Sequence, residues 1–108
     1  MDSSCNPQYK CSLHALSRDD IQKELLTLDP EWKLNLDQPN TIYREFKFKN
    51  FSKALEFVNK VGTVAEKLNH HPDITLQWGY VKVEYWTHTA KGLTPIDFIS
   101  AIAVDAQL

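Results

Sequence analysis

The chain has 108 residues, of which 43% are hydrophobic and 24% charged, and a formal net charge of −2. That length fits one compact domain and leaves no room for a second, and the slightly acidic balance speaks against direct nucleic-acid binding, which needs a basic face to displace counterions from phosphates. No apolar run approaches the ~18 residues of a membrane span and the opening stretch lacks the apolar core of a signal peptide, so a soluble intracellular protein is expected.

Residues 1–16 are polar, show no sustained period and read as a flexible leader, with residues 17–108 forming the single folded domain. Both cysteines, Cys5 and Cys11, fall in the leader and are expected as free thiols rather than as a disulfide or a zinc knuckle; His14 is expected to be solvated there. Ser17 followed by Asp20 resembles a capping box. Ile21, Leu25 and Leu28 then recur at helical spacing until Asp29-Pro30 ends the run.

From Trp32 the period changes to two, with Trp32, Leu34 and Leu36 on one side, and Asp37-Gln38-Pro39-Asn40 supplies turn chemistry. The run 41–48 places Ile42, Phe46 and Phe48 opposite Tyr43, Glu45 and Lys47, completing a hairpin. Asn50 can cap the next segment, where Phe51, Leu55, Val58, Ala65 and Leu68 give one apolar stripe on a long helix. The pattern fails at Asn69, and Pro72 biases His71 away from helical geometry, so His70 and His71 are expected at or just past the helix end.

Ile74, Leu76 and Trp78 alternate with polar residues, Gly79 marks a tight turn, and Val81, Val83 and Tyr85 continue the alternation, which predicts a second hairpin with Trp78 in the core. Thr94-Pro95-Ile96-Asp97 reads as cap, first-turn proline and third-position carboxylate, opening a last helix whose buried face is Phe98, Ile99, Ile102 and Ala103. The expected fold class is α+β in the order αββαββα: a four-stranded antiparallel sheet with three helices packed on one face.

Three of the four histidines lie within one spaced pattern: Glu66, three residues, His70-His71-Pro72, five residues, Trp78, nine residues, His88, eight residues, Asp97. Imidazole is the side chain whose unperturbed titration falls near neutrality, so three gathered together read as proton-transfer equipment. Glu66 stands one helical turn before His70, the spacing at which a carboxylate can orient an imidazole, although a solvated charge beside Lys67 is the plain alternative. The capping role accounts for Asp97. Trp32 is either a strand core residue or a flat wall for a planar ligand.

This pattern, E-x3-H-H-P-x5-W-x9-H-x8-D, resembles the signature of the pterin-4a-carbinolamine dehydratases, also described as the dimerisation cofactor of a homeodomain transcription factor. The resemblance covers residues 17–104, including Trp32 and the Gly92-Leu93-Thr94 turn. It implies elimination of water from a 4a-hydroxytetrahydropterin to give the quinonoid dihydropterin in tetrahydrobiopterin recycling, with no redox step, no metal and no cofactor. His70, His71 and His88 are the implied catalytic residues, with His70 and His88 as chief acid/base groups and His71 polarising the ring in one shared pocket. Asn69, His70, His71, Trp86, Thr87, His88 and Thr89, with Trp32, would bind substrate, and Glu66 would orient. Asn69 departs from the family, which often has Asp at this position.

The resemblance also implies a homodimer or homotetramer and keeps a second function open, a protein-binding coactivator with a transcription-factor partner. The implied location is the cytoplasm, with the nucleus as a second. Zinc is disfavoured because ligands on adjacent histidines converge poorly unless the backbone turns sharply between them.

Overall fold

A computed structural model describes residues 14–108 of the chain, so Cys5, Cys11 and most of the expected leader lie outside the described residues. The elements are α1 (Arg18–Leu25), β1 (Lys33–Asn35), β2 (Thr41–Lys47), α2 (Phe51–Leu68), β3 (Asp73–Gln77), β4 (Tyr80–Tyr85) and α3 (Pro95–Asp105). The expected order and class are therefore observed: four antiparallel strands in the spatial order β1-β2-β4-β3, with the helices on one face.

Strand alternation explains why one face is covered. Leu34 pairs with Ile42, Ile42 with Tyr85, Phe46 with Val81 and Val83 with Ile74, so these side chains project together under the helices. Val81, Val83 and Tyr85 on the central strand β4 are fully buried. Helix α2 answers with Ala54, Phe57, Val61, Val64 and Ala65, and Asn50 caps its start by accepting from Lys53 N at 2.8 Å. Phe51 and Leu55, expected in the same stripe, are half-exposed, because at ~100° per residue they project to its side. On α3 the buried positions are Ile96, Asp97, Phe98, Ser100, Ala101 and Val104, while Ile102 is half-exposed.

Two local expectations are corrected. Trp78 is not a core residue but is 71% exposed, because β3 ends at Gln77 and Trp78 belongs to the two-residue turn. Gly79 in that turn has φ +65, and a Cβ there would sit 2.8 Å from the Phe48 carbonyl oxygen, so glycine is required on both counts. Leu16, assigned to the leader by its sequence, is docked: its N–H donates to Leu93 O at 2.7 Å and its side chain packs against the core. Among the described residues no helix is long and apolar enough to cross a membrane.

Candidate functional site

Helix α2 ends where Asn69 adopts φ 52, a left-handed conformation that asparagine tolerates better than most residues, which gives Asn at this position a structural reason. The chain then runs extended into β3, and successive extended residues project to opposite sides. His70 consequently turns inward and His71 outward.

Inside, His70 Nε2 lies 2.6 Å from Asp97 Oδ1. Asp97 is the third residue of α3, and its other oxygen accepts from Thr94 N at 3.0 Å and from the Thr87 hydroxyl at 2.8 Å. Because Thr87 spends its proton on the carboxylate, the 2.8 Å contact between the Thr87 and Thr94 hydroxyls has Thr94 as donor. The carboxylate is thus satisfied from three directions, and the bond to His70 fixes the tautomer with hydrogen on Nε2. Tyr85 stacks on the His70 ring, with centroids 5.7 Å apart and planes inclined by 14°. Burial, followed by the negative Asp97, pushes the Tyr85 hydroxyl up, so it stays protonated at neutral pH.

Outside, His71 Nε2 meets Glu66 Oε2 at 2.6 Å, with both side chains in solvent. These two residues line a hollow of about 540 Å³ with Asn59, Gly62, Thr63 and Pro72. His88 follows β4 and packs its ring 4.0 Å from that of Trp86, inclined by 33°. Trp86, His88, Gln38, Pro39 and Lys91 line a second hollow of about 420 Å³. The turn holding His88 is pinned by Thr87 N to Gly92 O at 2.8 Å, Ala90 N to Thr87 O at 3.2 Å and Lys91 N to His88 O at 3.2 Å. Gly92 permits a close crossing, since a Cβ there would lie 2.7 Å from the Ala15 methyl.

The family model of pterin 4 alpha carbinolamine dehydratase matches residues 14–107, almost the entire chain. The chain belongs to this family. A protein of Alkaliphilus metalliredigens, provisionally named a pterin-4-alpha-carbinolamine dehydratase, is 44% identical, over 98% of this chain and 93% of its own. The crystal structure of a transcriptional coactivator/pterin dehydratase from Brucella melitensis is similar with a TM-score of 0.80 and 33% identity, covering 87% of this chain and 98% of that one. A pterin dehydratase-like protein identified as a RuBisCO assembly factor of the alpha-carboxysome has a TM-score of 0.61 at 20% identity over 71% and 88% of the two chains, which shows a shared fold alone.

Within this pterin dehydratase fold the three histidines do not share one of the two hollows. His71 lines the first and His88 the second, and neither lining includes His70. What joins them is the buried bridge: His70 is the chain neighbour of His71, Thr87 is the neighbour of His88, and Asp97 holds His70 to Thr87. Asp97 was legible as a cap and missed as the partner of His70; the remaining signal was that a capping carboxylate still has a second oxygen to place.

Glu66, Trp32 and Thr87 are each held by partners within the fold. Glu66 bonds His71 rather than His70, because the left-handed turn at Asn69 ends the helix before the one-turn spacing reaches His70. Trp32 is a core residue, edge-on to Phe46 with its indole N–H donating to Asp105 Oδ2 at 2.9 Å. Thr87 is buried, with its hydroxyl in the Asp97 bridge and its backbone paired to Gly92, so its part is positional. Asn69 and Thr89 are exposed.

Proposed function

We propose that the protein dehydrates a 4a-hydroxytetrahydropterin to the quinonoid dihydropterin by histidine acid/base catalysis, as part of tetrahydrobiopterin recycling in the cytoplasm. The observation that carries this reading is the buried His70–Asp97–Thr87 bridge, which clamps together the two segments bearing the accessible imidazoles His71 and His88.

The reaction proceeds by electron push from the N5 lone pair as the C4a–O bond breaks, with a proton delivered to the departing oxygen so that it leaves as water. The resulting C4a=N5 iminium loses its N5 proton to a base, and no electron acceptor takes part. Acid and base must reach neighbouring ring atoms, and each well-placed group contributes roughly 10² to 10⁴ in rate. Burial shifts the direct roles toward His88 and His71. His88, backed by the flat Trp86 ring, and His71, with its Nε2 on Glu66, are the proton-transfer groups of the proposal. His70, locked through Nε2 by Asp97, sets the position of both segments, and Asn69 and Thr89 meet the polar edge of the ring.

The test follows a freshly generated 4a-hydroxytetrahydropterin spectroscopically. Wild-type protein should accelerate its decay, and His71→Ala and His88→Ala should each lower the rate roughly 10²-fold. Undiminished dehydration by the His71→Ala/His88→Ala double variant would overturn the assignment.

A second reading, a self-associating binding module that also serves as a transcription-factor cofactor, is favoured by the half-exposed Phe51 and Leu55 on α2. Sedimentation of the Leu55→Lys variant checks it: association should weaken, and an unchanged oligomeric state counts against this surface.

A further inference from the structure

The two hollows beside the histidines differ in charge. The hollow at His71 has Glu66 in its lining, whereas the hollow at His88 has Lys91 and no acidic residue. Among the described residues Lys91 has no ion-pair partner, which leaves its charge available to a ligand in the hollow that it lines.

Its backbone is also fixed. Lys91 adopts φ 55, a left-handed conformation disfavoured for a lysine, and its N–H donates to His88 O at 3.2 Å. The two-way Thr87–Gly92 bridge closes the turn around it, so the Lys91 backbone is held in the same turn that carries His88. Across the hollow, Pro39 supplies a rigid wall and Gln38 an amide that can both donate and accept. The tilted Trp86–His88 pair gives a flat aromatic surface. A planar heterocycle with a charged appendage matches this combination better than a neutral one does, because a neutral appendage leaves the ammonium without a counterion.

We infer that the hollow formed by Gln38, Pro39, Trp86, His88 and Lys91 selects pterins whose C6 substituent carries a negative charge, a carboxylate or a phosphate ester, with Lys91 as the residue that reads it. The inference rests on the dehydratase reading for the identity of the ring. Opposite charges within a few ångströms at a partly enclosed surface are worth roughly tenfold in affinity, and the gain shrinks as salt screens it.

The experiment measures binding of three fluorescent oxidised pterins: 6-hydroxymethylpterin as the neutral reference, 6-carboxypterin, and the phosphate ester of 6-hydroxymethylpterin. Wild-type protein should bind at least one anionic form about tenfold more tightly than the neutral one at low ionic strength, and comparing the two anions separates carboxylate from phosphate recognition. Lys91→Met should bring the anionic-to-neutral ratio near one, Lys91→Glu should invert it, and Lys91→Arg should restore it, which guards against a folding artefact. A wild-type ratio near one, or a ratio that survives Lys91→Met, overturns the inference. Dehydration of a neutral 4a-hydroxytetrahydropterin is assayed alongside: turnover without anion preference removes Lys91 selectivity and leaves the dehydratase reading standing. Anion preference without turnover does the reverse, and absence of binding to all three pterins overturns the inference, with turnover alone deciding the dehydratase reading.

Discussion

Two histidine–carboxylate pairs of the same length stand side by side in this protein, and they differ in almost everything except distance. His70–Asp97 and His71–Glu66 both measure 2.6 Å from Nε2 to oxygen, yet the first pair is 1% and 0% exposed and the second 56% and 79%. In the exposed pair, water and salt screen the attraction, and holding two mobile side chains offsets much of it, leaving about 0–1 kcal/mol. In the buried pair, removing one partner strands the other in a medium that cannot solvate it, at about 3–5 kcal/mol. The lesson is that contact length describes geometry, whereas burial decides how much the fold depends on it.

The largest effect should come from Asp97→Ala, which removes the carboxylate partner of His70 Nε2, the Thr87 hydroxyl and Thr94 N–H together. A loss of about 3–5 kcal/mol is expected, read from urea unfolding. Asp97→Asn keeps an acceptor but offers an amide N–H where the imidazole donates, so dehydration should fall more than stability does. A double-mutant cycle sharpens the contrast: coupling of at least about 1 kcal/mol is expected between positions 70 and 97, and below about 0.5 kcal/mol between 66 and 71. Equal coupling in the two cycles would break the comparison.

A third carboxylate, Asp105, lies between these extremes. It accepts from the Trp32 indole and bonds Arg44 Nη1 at 3.1 Å, while burial, the dominant influence, raises its pKa above the ordinary 3.8. The folded state therefore holds this proton more tightly than the unfolded chain does. The Asp105 contribution to stability is full below pH 3.8 and declines as pH rises through the elevated folded value. Asp105→Asn should flatten that limb of the unfolding profile, and an unchanged pH dependence would contradict the assignment.

The smallest effects belong to the surface. Glu66→Gln should alter stability by less than about 1 kcal/mol, so any marked fall in turnover would reflect its hold on His71 rather than the fold. On the open face of the sheet, Tyr80 donates to Glu45 at 2.7 Å, and that bond raises its pKa from 10.0 to about 12. Glu45→Gln should bring the transition back toward 10.0, followed by tyrosinate absorbance.

The helices and strands were legible because apolar residues recur with the period each element needs, and the capping residues Ser17, Asn50 and Thr94 marked helix starts. Errors fell where a periodic rule was extended past the element that generates it. Alternation carried through Gln77 into the turn placed Trp78 in the core, and helical spacing carried past Asn69 gave Glu66 the wrong histidine. The histidine-rich segments were visible as a pattern. The bridge between His70 and Asp97 was not, because it joins residues 27 apart in sequence and depends on how α3 docks against the end of β4.

The crossing of Ala15 over Gly92, with Leu16 hydrogen-bonded to Leu93, means that the stretch before α1 braces the turn carrying His88 and Lys91. Trimming the protein to begin at Ser17 would remove that brace while sparing every helix and strand. A shortened version should therefore look intact by circular dichroism and still handle ligand poorly.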